Sequence, residues 1–339
     1  MNIKSLLIGS AAALAAVSGA QAADAIVAAE PEPMEYVRVC DAFGTGFFYI
    51  PGTETCLKFG GYVRFQTNVG RDEFNTGRGT SDWDSFTRAQ FEVDARSDTE
   101  LGTLRGFIGL QANGDNAADS GMFVEQAFIE LGGLKVGKFF SWWDDGINGE
   151  TDKLSSNALF NSVRYTFDAG SFTAGISVDE LEGIAKKLGE TDNNIGVAGN
   201  IGFKVGGVSG ALLGSYDIDN DEGAVRGMFS ADLGPGALNL AGVWASGYNS
   251  YYNRAEWSAA ASYAIKATDR LTITPGVQYD DSVRLAGSSV FSNLDSWRAG
   301  VTVDYKITEG LTTKITANYV DTDVVGDTVE GFFRLQRSF

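Results

Sequence analysis

Apolar and polar residues alternate with a period of two along almost the whole of this chain, and this alternation restricts its possible folds more than any other feature. The last segment, 331–339, is a clear case. Phe333, Leu335 and Phe339 fall on one face of an extended strand, and Arg334 falls on the other. An amphipathic strand that ends the chain on an aromatic residue is typical of the closing strand of an outer-membrane barrel. We therefore predict that Phe339 belongs to a barrel-closing strand.

Sixteen segments show the alternation, and many are near the length of about 10 residues that a tilted strand needs to cross a bilayer. Bacterial single-chain barrels have an even number of strands. A soluble sandwich would alternate in the same way, but in shorter strands. We therefore predict an all-β fold for 57–339, a 16-stranded antiparallel transmembrane β-barrel. The predicted strands are 57–69, 83–96, 103–113, 122–131, 134–140, 161–167, 171–179, 194–205, 208–218, 224–233, 237–247, 254–266, 271–280, 295–307, 310–320 and 329–339.

The predicted connections alternate between short and long. Short turns on one rim and long loops on the other are the barrel pattern, and a sandwich has no reason to produce it. Because both chain ends fall on the short-turn rim, the long loops are expected to face outside the cell. The short connections include 132–133, 206–207, 234–236 and 308–309, and the long ones include 71–82, 180–193, 281–294 and 321–328.

The first residues, 1–22, have the pattern of a secretory signal peptide. Lys4 gives the positive start, 6–17 is the apolar run, and Ala20-Gln21-Ala22 is the cleavage motif, so the mature chain is predicted to begin at Ala23. No later stretch reaches about 18 apolar residues, so no transmembrane helix is expected. An exported soluble protein and an outer-membrane barrel both remain open on this evidence alone.

The chain has two cysteines, Cys40 and Cys56, within the predicted N-terminal segment 23–56. After export to an oxidising compartment they are expected to form a disulfide, which would staple a short collar before the first long strand. Two free thiols are the alternative.

Charge and composition exclude several functions. The net charge is −18, which argues against nucleic acid as a partner because phosphate binding needs a basic face. Histidine is absent, which removes the Ser-His-Asp arrangement, His-based zinc sites and the commonest general base. We therefore expect no enzyme activity and no cofactor.

A barrel of sixteen strands is too wide for its own side chains to fill, so a water channel is expected inside it. The longest connection, the third outward loop at 140–160, contains Trp142 and Trp143. Its aromatic content favours a loop that folds inward and buries both indoles against the wall. The acidic residues that it would then present to the passage are Asp144, Asp145, Glu150 and Asp152.

Basic residues on the inward faces of several strands would oppose this acidic loop. An acidic loop against a basic wall gives a transverse field that filters solutes by size and charge. The alternative is that these cations pair with Glu92, Asp94 or Asp232 on neighbouring strands. The predicted wall residues are Lys58, Arg64, Arg88, Arg105 and Arg164.

Two carboxylate features do not fit this simple pattern. Glu125 falls in register with the outward residues of its strand, which is unfavourable against lipid unless it lies at headgroup level or a second subunit covers it. A second group could ligate calcium through hard oxygens, but a solvated or lipopolysaccharide-bridging loop is the simpler reading. This second group is Asp217, Asp219, Asp221 and Glu222.

Several stretches resemble the alphaproteobacterial general porins. The stretch 39–64, with its two cysteines and the Gly60-Gly61-Tyr62-Val63-Arg64 run, is similar to that family's amino-terminal signature, and 161–165 (Asn-Ser-Val-Arg-Tyr) also resembles the family. The resemblance implies a trimer of sixteen-stranded barrels, with the third loop folded inside. The outward loops at 218–223 and 247–253 are short, which predicts a wider mouth than in some members of that family.

The function predicted from all of this is an outer-membrane channel for passive diffusion of small hydrophilic solutes and ions, with a mild cation preference. The expected partners are two further copies of the chain, outer-membrane lipid and lipopolysaccharide. An oligosaccharide-selective channel is the alternative, but it needs an aromatic track along the lumen. The inward aromatic residues are not expected to form a continuous line: Tyr62, Phe86, Phe107 and Phe128.

Overall fold

The computed structural model describes residues 38–70, 83–116, 119–156, 158–185, 194–324 and 326–339. The predicted signal peptide 1–22 and the residues 23–37 that follow it lie outside these ranges. Among the described residues, no helix is long and apolar enough to cross a membrane.

Seventeen β-strands occur in the described residues, and sixteen of them are long. The sixteen correspond one to one with the predicted strands, and no strand end differs from its prediction by more than three residues. The strands are β1 (Phe48–Tyr49), β2 (Cys56–Val69), β3 (Trp83–Thr99), β4 (Gly102–Asp115), β5 (Ser120–Leu131), β6 (Leu134–Phe140), β7 (Leu159–Asp168), β8 (Phe172–Glu180), β9 (Ile195–Val205), β10 (Val208–Asp217), β11 (Glu222–Leu233), β12 (Gly236–Ala245), β13 (Ala255–Thr268), β14 (Leu271–Val283), β15 (Ser296–Thr308), β16 (Leu311–Thr322) and β17 (Thr328–Ser338).

The sheet closes on itself. Each strand from β2 to β16 pairs antiparallel with the next, and β17 pairs back onto β2 over the register Gly331↔Val69 to Ser338↔Tyr62. Phe339 continues this seam, since its backbone N–H donates to the carbonyl of Gly61 at 3.1 Å. Closure pairs the first long strand with the last, so neither of these two strands leaves an open sheet edge in lipid. The predicted 16-stranded barrel and its closing strand are confirmed.

Short turns and long loops alternate around the barrel as the sequence predicted. The turn between β9 and β10 is only Gly206-Gly207, and Gly206 has a φ of 59°, a left-handed value that a residue with a side chain adopts rarely. The longest connection in the barrel, 141–158, joins β6 to β7.

The outer surface of the barrel is apolar. Ile129 and Ile176 are each 62% exposed on this surface, where the membrane would cover them with lipid. Aromatic residues on β12–β16 line the long-loop end of this surface, and neighbouring rings are in contact, such as Trp297 and Tyr319 at 5.4 Å. They form one of the two aromatic girdles expected of a membrane barrel.

A disulfide joins Cys40 to Cys56, as predicted. It closes a collar, residues 39–55, whose short strand β1 pairs with the start of β2. Phe47 is buried in this collar beside the two sulfur atoms, and Lys58 and Arg96 lie over its ring. The collar is therefore attached to the short-turn end of the first two barrel strands.

The expectation that Glu125 faces lipid is wrong. The pairing of β4 with β5 shifts between Gly109 and Leu110, and Glu125 is the extra residue of the resulting bulge. Its carboxylate accepts hydrogen bonds from the inward side chains of Gln90 and Gln111. A bulge turns a side chain to the other face, and strict alternation cannot anticipate it.

Candidate functional site

Loop 141–158 begins with a short 3₁₀ helix, Trp142–Asp144. Ser141 starts it, since its side-chain oxygen accepts from the N–H of Trp143 at 3.3 Å. This cap turns the chain sharply at the end of β6, and Trp143 becomes fully buried. The turn directs the loop away from its own strands.

Arg226, on β11, holds the neck of this loop. Its guanidinium donates to the carbonyl oxygens of Trp143 at 3.3 Å and Leu154 at 3.2 Å, and also to that of Trp142. The side chain is 0% exposed and lies 5.0 Å from the Trp143 ring centroid. A buried guanidinium needs several hydrogen-bond acceptors, so these three bonds fix the position of both the loop backbone and the Arg226 side chain.

The tip of the loop contacts the far strands of the barrel. The N–H of Glu150 donates to Thr302 on β15 at 2.8 Å, and Arg298 on the same strand donates to the carbonyl of Thr151 at 3.2 Å. The N–H of Lys153 donates to Gln278 on β14 at 2.6 Å. These bonds carry the loop from β6 to the inward residues of β14 and β15.

Two glycines make room for this path. A Cβ at Gly175 would lie 2.7 Å from the Trp142 ring, and one at Gly276 would lie 2.9 Å from the Cβ of Thr151. Both distances are shorter than real contacts allow, so any side chain at either position would displace the loop.

A second loop, 247–253, also turns inward, which its short length did not predict. Tyr251 and Tyr252 are 0% and 2% exposed, and their rings lie 6.4 and 6.2 Å from that of Trp143. They pack in one apolar cluster against small inward residues of β9–β13, among them Ala241. The sequence signal was this paired tyrosine in an otherwise polar loop.

The carboxylates suggested as a calcium site do not come together around one point. Asp217 is buried and accepts from the side-chain amides of Asn194 and Asn220, each at 2.7 Å. Asp221 accepts from Tyr216, and Glu222 accepts from Ser246. No group of three potential metal ligands occurs in the part of the chain that the structure describes.

The four loop carboxylates have different surroundings. Glu150 forms ion pairs with Lys314 at 2.6 Å and Arg334 at 3.6 Å, whereas Asp145 is exposed. Asp144 accepts from the hydroxyl of Ser155 at 3.2 Å, and Asp152 accepts from the N–H of Leu154 within the loop itself. Burial raises the pKa of Asp144 and of Asp152 above that of an ordinary aspartate.

Arg64 and Arg88 are direct cross-strand neighbours on β2 and β3. The Nε of Arg64 donates to Gln336 at 2.9 Å, and that of Arg88 donates to Asn113 at 2.8 Å. Amide oxygens orient these guanidinium groups without neutralising them. Like charges directly opposite each other in a sheet are destabilising, so this pair is not explained by stability.

Arg334 on β17 completes this row, and the sequence reasoning missed it. Its Nε donates to Gln66 on β2 at 2.7 Å. The signal was an aromatic residue two positions before the arginine, which recurs in all three strands. The guanidinium carbon lies over that ring each time, for Tyr62 and Arg64 at 4.7 Å, Phe86 and Arg88 at 5.5 Å, and Phe332 and Arg334 at 4.4 Å.

The other predicted wall cations have partners of their own and do not join this row. Arg105 pairs with Asp94 at 2.9 Å and Glu130 at 3.3 Å, which is the alternative considered for it from the sequence. Arg164 is only 8% exposed; it donates to the carbonyl of Phe140 and lies 3.9 Å from the Trp142 ring centroid. Lys58 lies over Phe47 of the collar.

Of the four inward aromatic residues predicted to form no continuous line, only Phe107 and Phe128 are in ring contact with each other among the described residues. Phe107 and Phe128 stack at 5.1 Å, and Phe128 meets Phe139 edge-on at 5.9 Å. Two of these rings are covered, however, since Phe128 is 7% exposed and Phe139 is 1% exposed. The line does not offer an open apolar face along the lumen.

Comparisons with known proteins support the barrel described above. Outer membrane protein IIIA of Rhizobium leguminosarum bv. viciae is 49% identical over 350 residues, covering 98% of this chain and 93% of that protein. Porin Omp2b of Brucella suis biovar 1 is 34% identical over 379 residues, covering all of both chains. A solved structure of a loop-deletion mutant of OmpT, an outer membrane protein of Vibrio cholerae, matches with a TM-score of 0.64 at 14% identity. It covers 85% of this chain and all of the other, and at that identity it supports the fold alone.

The model of the porin subfamily matches residues 24–331, which is nearly all of the chain after the predicted signal peptide. Together with the closed sixteen-strand barrel and the relatives at 34% identity and above, this match shows that the chain belongs to the porin subfamily.

Proposed function

We propose that this outer-membrane porin, through which small hydrophilic solutes and ions diffuse passively, is narrowed where loop 141–158 approaches the row Arg64, Arg88 and Arg334. The observation that carries the proposal is the contact of Glu150 with Lys314 and Arg334, because it ties the loop tip to the strand next to Arg64. Solutes then pass between loop carboxylates and wall guanidinium groups. The flux needs no covalent chemistry.

The charges at this slot favour cations mildly. The exposed Asp145 and the half-buried Asp144 lie on the loop side, and Glu125 adds a wall carboxylate that the bulge directs inward. Arg64 and Arg88 oppose them without a carboxylate partner of their own within the described residues. A row of charged side chains along a pore selects ions by attracting those of opposite charge and repelling those of like charge.

Arg164 has a different role in this proposal from the one expected from the sequence. Its burial, its bond to Phe140 and its contact with Trp142 make it a residue that positions the base of the loop. Arg164 therefore affects the passage of solutes indirectly, because it positions the loop, and it does not line the slot itself. The covered rings of Phe128 and Phe139 do not favour the oligosaccharide-selective alternative.

We further propose a homotrimer in a lipopolysaccharide-containing membrane. Lys138 on β6 pairs with Ala127 and Asn161, which places it on the outward face with Val136 and Val163. Five residues from the turn, at about 3.3 Å each and a tilt of about 40°, put it about 13 Å from that rim, near mid-membrane. A lysine there costs about 2–4 kcal/mol against lipid, and a neighbouring subunit removes that cost.

Replacing Arg64 with alanine should raise both single-channel conductance and cation preference. One charge at 5 Å in water is worth about 0.8 kcal/mol, which corresponds to about a fourfold change in the permeability ratio. Reversal potentials in a salt gradient across a planar bilayer measure this. Lys306→Ala, at the exposed short-turn end of β15, serves as the control and should change neither quantity. An unchanged or more anion-selective Arg64→Ala channel would exclude Arg64 from the slot.

Cation preference should fall on acidification at a pH higher than an ordinary aspartate would predict. Burial favours the neutral form of Asp144 and so raises its pKa, which means that its charge is lost earlier as the pH decreases from 7. Reversal potentials between pH 7 and pH 4 test this. Asp144→Asn should lower the preference at pH 7 and reduce the early part of the transition, to which Asp152 also contributes, whereas Asp269→Asn in a short turn should have no effect. A preference that is constant down to the usual aspartate range would contradict the assignment.

Native mass measurement of the detergent-solubilised protein should give three chains per particle. Lys138→Glu should shift the distribution toward single chains, because it reverses the charge at the proposed subunit contact. The matched variant Lys306→Glu should leave the trimer intact. A wild-type particle of one chain would rule out the trimer.

A further inference from the structure

On β6 and β7, two cations face each other below loop 141–158. Lys135 and Arg164 are direct cross-strand partners, and both lie over the same ring, since Lys135 Nζ and Arg164 Cζ are 4.6 and 4.7 Å from the centroid of Phe139. Like charges in this position destabilise a sheet unless something compensates them.

No carboxylate of the described residues forms an ion pair with either cation, although Glu130, Asp145 and Asp179 attract them at longer range. Glu130 is the other cross-strand partner of Lys135, but its carboxylate pairs with Arg105 at 3.3 Å. Asp179, on the strand next to Arg164, already accepts from Ser162, Ser177 and Tyr251. Neither Lys135 nor Arg164 forms an ion pair with a carboxylate of the described residues.

Hydrogen-bond donors are left over at the same place. The ammonium of Lys135 contacts only rings among the described residues, with Phe128 at 3.8 Å. The side chain of Arg164 is only 8% exposed, and its buried Nε has no hydrogen-bond partner among the described residues. Two adjacent cations with unused donors are suited to a carboxylate, which accepts two such bonds at once.

Aromatic rings flank these donors. The half-buried ring of Phe107 stacks on Phe128 on one side, and the half-buried ring of Trp142 lies 3.9 Å from Arg164 on the other. A flat apolar body attached to a carboxylate would stack on such rings, whereas an inorganic anion would leave them unused.

We propose that Lys135 and Arg164, flanked by Phe107 and Trp142, form a binding subsite for small aromatic carboxylates. Lys135 is the second residue of β6, directly after the turn Gly132-Gly133, so the subsite lies at the short-turn end of the barrel and is reached from the periplasm. This inference rests on the proposed channel, since the ligand enters through its lumen.

The test is single-channel recording with benzoate, acetate and benzyl alcohol at equal ionic strength. Benzoate should reduce the current with a saturable concentration dependence, more strongly from the periplasmic side. Acetate should act more weakly, and the uncharged alcohol should have no effect. The sodium chloride conductance of the same preparation reports on the channel itself, so a failure of the channel is distinguished from a failure of the subsite.

Lys135→Gln should raise the half-blocking benzoate concentration about tenfold, because a charge-assisted bond is lost. Lys135→Arg should restore the block, and Lys266→Gln should behave as wild type. As a second measurement on the unaltered protein, benzoate should slow acylation of Lys135, read by mass spectrometry, without slowing that of Lys266. Equal block in wild type and Lys135→Gln, equal block by acetate, or no protection of Lys135 would each overturn the proposal.

Discussion

The backbone pairing of β17 with β2 is the interaction on which the rest of the structure depends. Inside a bilayer no water is present to satisfy an exposed N–H or carbonyl, so an open sheet edge costs several kcal/mol for each unpaired group. The seam from Gly331↔Val69 to Ser338↔Tyr62, continued by Phe339, removes that edge. Once the sheet is closed, alternate residues have only two environments, lipid and lumen, and each strand must suit both.

The lumen has two chemically different walls, one that packs against the inward loops and one that is polar. On the side of β9–β13 many inward residues are small and apolar, and Trp143, Tyr251 and Tyr252 pack on them as a core. The buried guanidinium of Arg226 joins this core to the loop backbone through three carbonyls. On the side of β17, β2 and β3 the inward residues are long and polar, and Arg64, with its amide partner, is partly exposed to the lumen. The two kinds of wall separate a packed region from a passage.

The strands could be predicted from the sequence because a period of two is a local signal that many residues repeat. The errors came from features that the period does not encode. Glu125 turned inward because one inserted residue shifts the register of β5, and Arg105 was occupied because Asp94 lies beside it on the next strand. Arg226 was missed because its partners are backbone carbonyls of a distant loop, for which no residue pattern exists. Predicting which cations line the passage required knowing which of them already had partners.

The most direct test of this account is a disulfide between the tip of loop 141–158 and the barrel wall. A Cβ at Gly149 would lie 3.5 Å from that of Thr274 on β14, which is within the range of about 3.5–4.5 Å for a disulfide. The double variant Gly149→Cys, Thr274→Cys should therefore form this bond on export, seen by mass spectrometry as one cross-linked peptide pair beside the native Cys40–Cys56 bond. Its conductance should stay close to that of wild type, because the bond holds the loop where it already lies. Gly149 has a φ of 96°, a left-handed value that a cysteine adopts only with strain, so the single variant Gly149→Cys is the reference for this comparison. Two free thiols that react with a maleimide added from outside would show that the loop does not cross the lumen.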